Sequence, residues 1–332
     1  MERVSTVTPE VSLISFKGLD LSLDFSGVLE LLGLWDTAEF FDSLDISGIL
    51  CPLVIVDARA SGNFVNGPYK LVDGFKRLAW ARRKGLDTIP VTRAQMTDRG
   101  LLAFLLSKYV HLLKTCVARA LFLKFLLQIG IDDQAIIDVA MRPLGLQAYK
   151  GLLEKHLRIA DLPEELLTFC HKKDFSLKRC LNFTYQPRQL LVKIMALEDR
   201  ISLSASFLQE LCDSISEIMK RNEMAVEEFF QIEEVKEVLG SDIDRSSKTN
   251  LFRQVIRRLR YPILSKIQRE LKEIEKEYLG PFPFEVKWDE SLENRRLRII
   301  ASIKHIGELS DFRSSLSNPK AEEGIKRLLS YF

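Results

Sequence analysis

The sequence predicts an α+β unit at the N-terminus, a mainly α-helical region after it and a small C-terminal α+β unit. Three observations carry this prediction. The run LCPLVIV from Leu50 to Val56 and a second from Tyr69 to Val72 are β-branched and compact, as buried strands are. From Thr97 onward leucines and alanines recur at three- and four-residue intervals, the period of a core-facing helix. Near the end, PFPFEVKW and RLRIIAS alternate apolar with polar residues, which is the pattern of a hairpin. At 332 residues the chain exceeds the usual span of one domain, and the expected division is 1–96, 97–200 and 201–332.

Taken in order, Val11 to Leu34 holds short apolar runs broken by Gly18, Gly27 and Gly33, which suits small strands and turns. After the strand of LCPLVIV, the stretch DARASGNFVNGP marks a loop or hairpin, and Tyr69 to Val72 re-enters as a strand. Gly74 interrupts there, FKRLAWARRK follows with helical spacing, and Gly85 closes the helix. LDTIPV is a further short strand. Thr97 to Leu127 reads as one or two helices, with Asp98 a candidate cap. Beyond Gly130, punctuation at Pro143, Gly145, Pro163 and Pro187 points to a bundle of short helices without strands. Amphipathic helices continue through residues 200–239, and SDIDRSSKTN is polar and turn-rich enough to mark a boundary. A basic helix from Leu251 to Leu279 is expected to break at Pro262. In the hairpin, Phe282, Phe284, Val286 and Trp288 share one face and Leu297, Ile299 and Ala301 another alternation; that apolar surface requires cover from the tail helix, Ile306 to Phe312, or from a second copy.

Composition narrows the setting. Lys plus Arg total 48 and Asp plus Glu 46, so the whole-chain charge announces neither a nucleic acid nor a membrane and any basic surface is local. Five cysteines, Cys51, Cys116, Cys170, Cys180 and Cys212, are widely spaced and lack a CxxC pair, which argues against a disulfide framework and a zinc knuckle. Cys51, within an apolar run, reads as a buried inert thiol. The first residues lack the pattern of a secretory leader and no apolar run approaches a membrane span, so the expectation is a cytoplasmic protein with no membrane partner.

The segment with chemistry in it is Asp73-Gly74-Phe75-Lys76-Arg77, at a strand-to-helix junction. Gly74 permits close backbone approach, and a helix N-terminus presents N–H groups and a positive dipole end to an anion. Lys76 and Arg77 add cationic donors, Arg77 with planar bidentate geometry. The plainer alternative is a turn glycine followed by a solvated first turn.

From Ser47 to Val91, SGILCPLVIV and then YKLVDGFKRLAWARRKGLDTIPV resemble the N-terminal domain of the ParB partition proteins, a scaffold shared with sulfiredoxin. Gly48, Leu50, Pro52, Gly74, Arg77, Ala81, Gly85, Leu86, Ile89 and Pro90 fall in register with that family's motifs. The resemblance implies an α+β ParB/sulfiredoxin-like N-terminal domain whose nucleotide phosphates fall to Asp73, Gly74, Lys76 and Arg77, with CTP and magnesium as the cofactors. The chain departs from the pattern at Phe75, Ala79 and Val56, where the family has glutamate, arginine and arginine. Where ParB proteins carry a Glu-Asn pair for the metal, this chain has Ser107-Lys108, neither a good magnesium ligand, and Lys108 is the candidate to neutralise phosphate directly. Sulfiredoxin chemistry is set aside because Phe75 stands where its reactive cysteine would be.

Residues 128–200 resemble, more loosely, the helical part of ParB, including LPEEL. That resemblance makes Asp133 to Ala140 the first helix of a helix-turn-helix and Gln147 to His156 the recognition helix, with Gln147, Lys150 and Lys155 as DNA contacts. MRPLGLQAY replaces the family's turn with extra length, so a purely structural bundle is the alternative. His156 and His171 read as surface or capping residues, and Cys170, His171 and Cys180 lack a fourth zinc ligand. The basic helix adds Arg253, Arg257, Arg258 and Arg260, of which Arg257 and Arg258 are candidate phosphate contacts; an ordinary ion-paired helix is the other reading. The sequence thus points to a ParB-like DNA-binding protein of a partition, plasmid or mobile-element system, with DNA, a nucleotide, a partition ATPase and a second copy as partners. It leans away from an enzyme, with room for weak nucleoside triphosphatase activity only. The alternatives are a phosphoryl-transfer enzyme with Asp73 as base and Arg77 as anchor, and a non-catalytic interaction protein with a degenerate pocket.

Overall fold

Short β-branched runs and a left-handed glycine set the architecture of the first unit. The computed structural model describes residues 11–20, 26–33, 37–57, 69–94, 97–289, 292–294 and 296–332. Most of the loop expected in DARASGNFVNGP, from Ala58 onward, lies outside them. The chain divides into two compact units, Met1–Leu197 and Glu198–Phe332.

In the first unit the strands are β1 (Val11–Ser15), β2 (Leu19–Asp20), β3 (Leu53–Asp57), β4 (Tyr69–Asp73) and β5 (Thr88–Arg93), joined by helices α1 (Ser26–Leu31), α2 (Ala38–Ser47) and α3 (Phe75–Arg83). They form one mixed sheet in the order β1-β5-β3-β4-β2. β1 with β5 and β3 with β4 are antiparallel; β3 with β5 and β2 with β4 are parallel. Leu53, Ile55, Leu71, Val72, Ile89 and Val91 are buried, every second residue in β3 and β5 and consecutively in β4. The Val11 to Leu34 stretch yields two short strands, as its glycines suggest, but also the helix α1.

Two sequence expectations need correction here. The strand begins at Leu53, not Leu50: Leu50 is 78% exposed and Cys51 is exposed. Pro52 has no N–H for a ladder, and the carbonyls of Cys51 and Pro52 accept hydrogen bonds from Arg77 instead. Cys51 is therefore a surface thiol. Second, Thr97 rather than Asp98 holds the cap position of the next helix, its hydroxyl accepting from the Gly100 N–H at 3.3 Å.

That helix is α4 (Asp98–Tyr109), followed by α5 (Cys116–Gln128), α6 (Asp133–Ala135) continuing as a π turn to Ala140, α7 (Lys150–Ala160), α8 (Glu164–Lys172), α9 (Leu177–Phe183) and α10 (Arg188–Met195). α5 is buried on nearly all sides, through Val117, Ala118, Ala120, Leu121, Phe122, Leu123, Phe125 and Leu126, and α7 and α8 pack against it. Burying one such phenylalanine contributes about 1.5–3 kcal/mol. Phe75 at the start of α3 meets Phe125 edge-on at 6.2 Å and so ties the sheet to the helices.

The second unit contains α11 (Ala205–Asn222), α12 (Val226–Gln231), α13 (Glu233–Gly240), α14 (Arg245–Arg260), α15 (Pro262–Ile274) with a π turn to Leu279, the hairpin β6 (Glu285–Lys287) and β7 (Arg298–Ile300), α16 (Ile306–Leu316) and α17 (Pro319–Leu329). SDIDRSSKTN lies inside this unit rather than at a boundary. It starts α14, because the Asp244 carboxylate accepts from the Ser246 and Ser247 N–H groups at 3.0 and 2.9 Å. The helix breaks where expected, with Pro262 at the first position of α15. Phe284 and Val286 of the hairpin are buried with Leu271, Leu279, Ala321 and Leu328, and Phe312 meets Phe284 at 6.0 Å, so the chain's own helices cover the β6 side of that apolar surface, while Ile299 on β7 stays 39% exposed. Among the described residues no helix is long and apolar enough to cross a membrane.

Candidate nucleotide and phosphate site

β4 ends at Asp73, and Gly74 then takes φ +99° before α3 begins. The β3–β4 register shifts between Val54 and Ile55, next to the pair Val54 and Asp73; such an irregularity re-aims the side chain beside it. The Asp73 carboxylate accepts from two cations, Arg77 Nη2 at 3.3 Å and Lys108 Nζ at 3.3 Å. Asp73 and Arg77 are mostly covered, their side chains 17% and 15% exposed, whereas Lys108 is 48% exposed.

Arg77 does more than face Asp73. Its Nη1 donates to the carbonyls of Cys51 at 2.5 Å and Pro52 at 3.1 Å, pinning the entry to β3 against α3. Lys108 is the member of the group that reaches solvent. Tyr109, next on α4 and buried, was not marked by any sequence pattern; burial, and after it the Asp73 charge, pushes its phenol well above the usual range.

The other predicted residues sit as follows. Gly74 is packed against Leu53: a Cβ there would stand 2.8 Å from Leu53 Cγ and 3.1 Å from Arg77 Nη2. Lys76 lies over the Phe40 ring, 6.0 Å from its centroid. Phe75, where the resemblance leads one to look for glutamate, is 4% exposed and serves the core.

A magnesium ion does not fit this donor set. Asp73 is the lone carboxylate of the group and already holds two cations, with an ammonium where a second metal ligand is needed. Among the described residues no group of three His, Cys, Asp or Glu side chains gathers to hold a metal.

In the helical region the helix expected from Gln147 to His156 starts later. α7 runs from Lys150 to Ala160 and Gln147 precedes it, in a stretch where Gly145 (φ +72°) ends the previous turn. Lys150 and Lys155 are exposed, while Leu152, Leu153, His156 and Ile159 are buried. His156, expected at the surface, is in the core, its Nδ1–H donating to the Leu152 carbonyl at 2.8 Å. His171, read as a surface or capping residue, is half-buried at two helix ends: Nδ1 is 2.7 Å from the hydroxyl of Thr115, the cap residue of α5, and Nε2 3.1 Å from the Leu32 carbonyl just past α1. In the second unit Arg258 pairs with Glu234 at 2.6 Å and Arg260 with Glu217 at 2.6 Å; Arg257 is exposed on α14 and has contacts of its own.

No family model matches the chain, and no curated protein matches it. Among solved structures it is similar to the C-terminally truncated chromosome-partitioning protein ParB from Caulobacter crescentus complexed to the centromeric parS site, at 17% identity and a TM-score of 0.25, over 61% of this chain and 98% of that one. The same protein complexed with CTP-gamma-S aligns at 17% identity and a TM-score of 0.22, over 56% and 99%.

Proposed function

We propose that the chain is a ParB-like DNA-binding protein of a partition, plasmid or mobile-element system that holds a nucleotide's phosphates where β4 meets α3. The observation that carries this is the convergence of Arg77 and Lys108 on Asp73 beside the start of α3. An arriving phosphate meets the positive end of α3 and draws Lys108, the more exposed cation, away from Asp73. Arg77 stays on the Cys51 and Pro52 carbonyls and keeps the junction in shape. No metal takes part, so the charge of the phosphates is met by Lys108 and the helix. The proposed DNA surface of the first unit is the exposed side of α7, with Lys150 and Lys155 as phosphate contacts and Gln147 just ahead of it. In such a system the partners are DNA, the nucleotide, a partition ATPase and a second copy. The phosphoryl-transfer alternative is less well supported, because the Asp73 carboxylate faces two cations rather than a nucleophile.

Isothermal titration of the full chain with each ribonucleoside triphosphate, with and without magnesium, tests the reading. CTP binding that persists in EDTA and weakens at least tenfold in Lys108→Glu is the expected result. Lys108 is half in solvent, so that variant should fold; Arg77→Ala is the harsher companion. Absence of heat with every triphosphate would overturn the nucleotide site, and binding strictly dependent on magnesium would overturn the metal-free account.

A further inference from the structure

A second basic feature belongs to the other unit and has a shape the sequence did not show. Tyr261 leaves the helical region of backbone space (φ −122°, ψ 66°) and Pro262 restarts the helix, so α14 and α15 turn against each other. Residues three and four apart share a helix face. On α14 that face presents Gln254 and Arg257; on α15 it presents Arg269 and Lys272. β6 closes the third side with Lys287 and, just beyond it, Trp288. Together they line a cleft of 690 Å³, within the size range of ligand sites.

The lining is one-sided in charge. No carboxylate is among the described residues that form it. Arg258 at its edge is paired with Glu234 and Lys287 with Glu285 at 3.3 Å, while Arg269 and Lys272 are exposed on α15. Trp288 is half-buried, one part of the ring packed with the Phe284 and Val286 cluster and the rest facing the cleft.

We infer that this cleft binds a single-stranded segment of DNA, with Arg257, Arg269, Lys272 and Lys287 along the phosphates and a base stacked on Trp288. Cations that track a backbone beside an aromatic ring are the arrangement that holds single strands, and the amide of Gln254 offers both donor and acceptor to a base edge. A duplex keeps its bases stacked inside and uses only the cations. The inference does not depend on the Asp73 site, since all of its residues lie in the second unit.

The test is fluorescence anisotropy of labelled oligo(dT), and of a duplex of equal length, with the full chain and three variants. Oligo(dT) should bind more tightly than the duplex. Arg269→Glu with Lys272→Glu should weaken oligo(dT) binding at least tenfold, and Lys172→Glu with Lys173→Glu, exposed at the end of α8, should leave it within twofold. In Lys272→Ala the log–log salt slope should fall by about 0.7, the share of one phosphate contact on a single strand. Because Trp288→Leu risks the core, a bromodeoxyuridine oligonucleotide is also photocrosslinked to the unaltered chain, and the adduct should map to Trp288. Equal or tighter duplex binding with the adduct elsewhere would overturn the proposal, as would oligo(dT) binding indifferent to the charge reversals.

Discussion

A methyl group on residue 74 would lie 2.8 Å from Leu53 Cγ and 3.2 Å from Leu53 Cα, at a backbone φ of +99°. Gly74→Ala is therefore expected to lose about 1–3 kcal/mol through overpacking, with left-handed strain in addition; urea unfolding measures it, and an unchanged midpoint would contradict the packing. The glycine was legible in the sequence, but its immediate neighbour was not: Leu53 fills the space that close ligand approach suggested. Phe75 carries a related lesson. Restoring the ParB-like residue with Phe75→Glu puts a carboxylate against Phe125, and the prediction is a large loss of stability, on the order of 3–5 kcal/mol as for removal of a core phenylalanine, rather than a gain of nucleotide binding. Among the thiols, Cys51 is exposed whereas burial pushes Cys212 up to about 12. Iodoacetamide at pH 8 should label Cys51 first, read by peptide mass spectrometry. The Cys212 proton is released more easily in the unfolded chain, so its contribution is full below about pH 9 and declines as pH rises toward 12; Cys212→Ala should flatten that alkaline loss in a pH series of melting temperatures.

At the scale of elements, α7 shows how a helix start is misplaced by sequence alone. Its apolar period, Leu152, Leu153, His156 and Ile159, is regular enough to announce a helix, and its exposed lysines follow from that period. Its first residue was set by something less visible: Gly145 ends the previous turn and Tyr149 stays extended at φ −153°, so Gln147 is left in the connecting segment. His156 completes the buried face rather than the exposed one. His156→Ala is expected to cost about 1–3 kcal/mol, the range for a buried hydrogen-bonding group, measured by thermal melting. Lys150→Glu with Lys155→Glu should leave the melting temperature within a degree or two and weaken duplex DNA binding, measured by gel shift. Loss of folding in the lysine variants would mean that the exposed face of α7 carries structure rather than contacts.

For the whole molecule, the parts legible in advance were those with a strong period: the two central strands, the Gly74 junction, the helical middle and the break at Pro262. What escaped was set by individual side-chain hydrogen bonds, one of them distant and one local. Cys51 lies at the surface because Arg77 engages the Cys51 carbonyl, and SDIDRSSKTN starts a helix because Asp244 caps it. The first unit buries Phe122 and the inner residues of its sheet, and in the second Leu271, Leu279, Phe284, Val286, Ala321 and Leu328 form one buried cluster. Residues 1–197 and 198–332 expressed separately are expected to give one cooperative unfolding transition each by calorimetry; a fragment without a transition would show that its core is incomplete.

The two units are also contiguous in the chain, with every strand of the mixed sheet drawn from before residue 94. On a ribosome the last strand of that sheet, β5, emerges long before the final helices are made. Because domains made early in synthesis generally fold as units, the β1–β5 pairing and the Gly74 junction can be in place while α11 to α17 are still being translated. A stalled or truncated message that ends after Leu197 would then release a folded N-terminal piece rather than an aggregate.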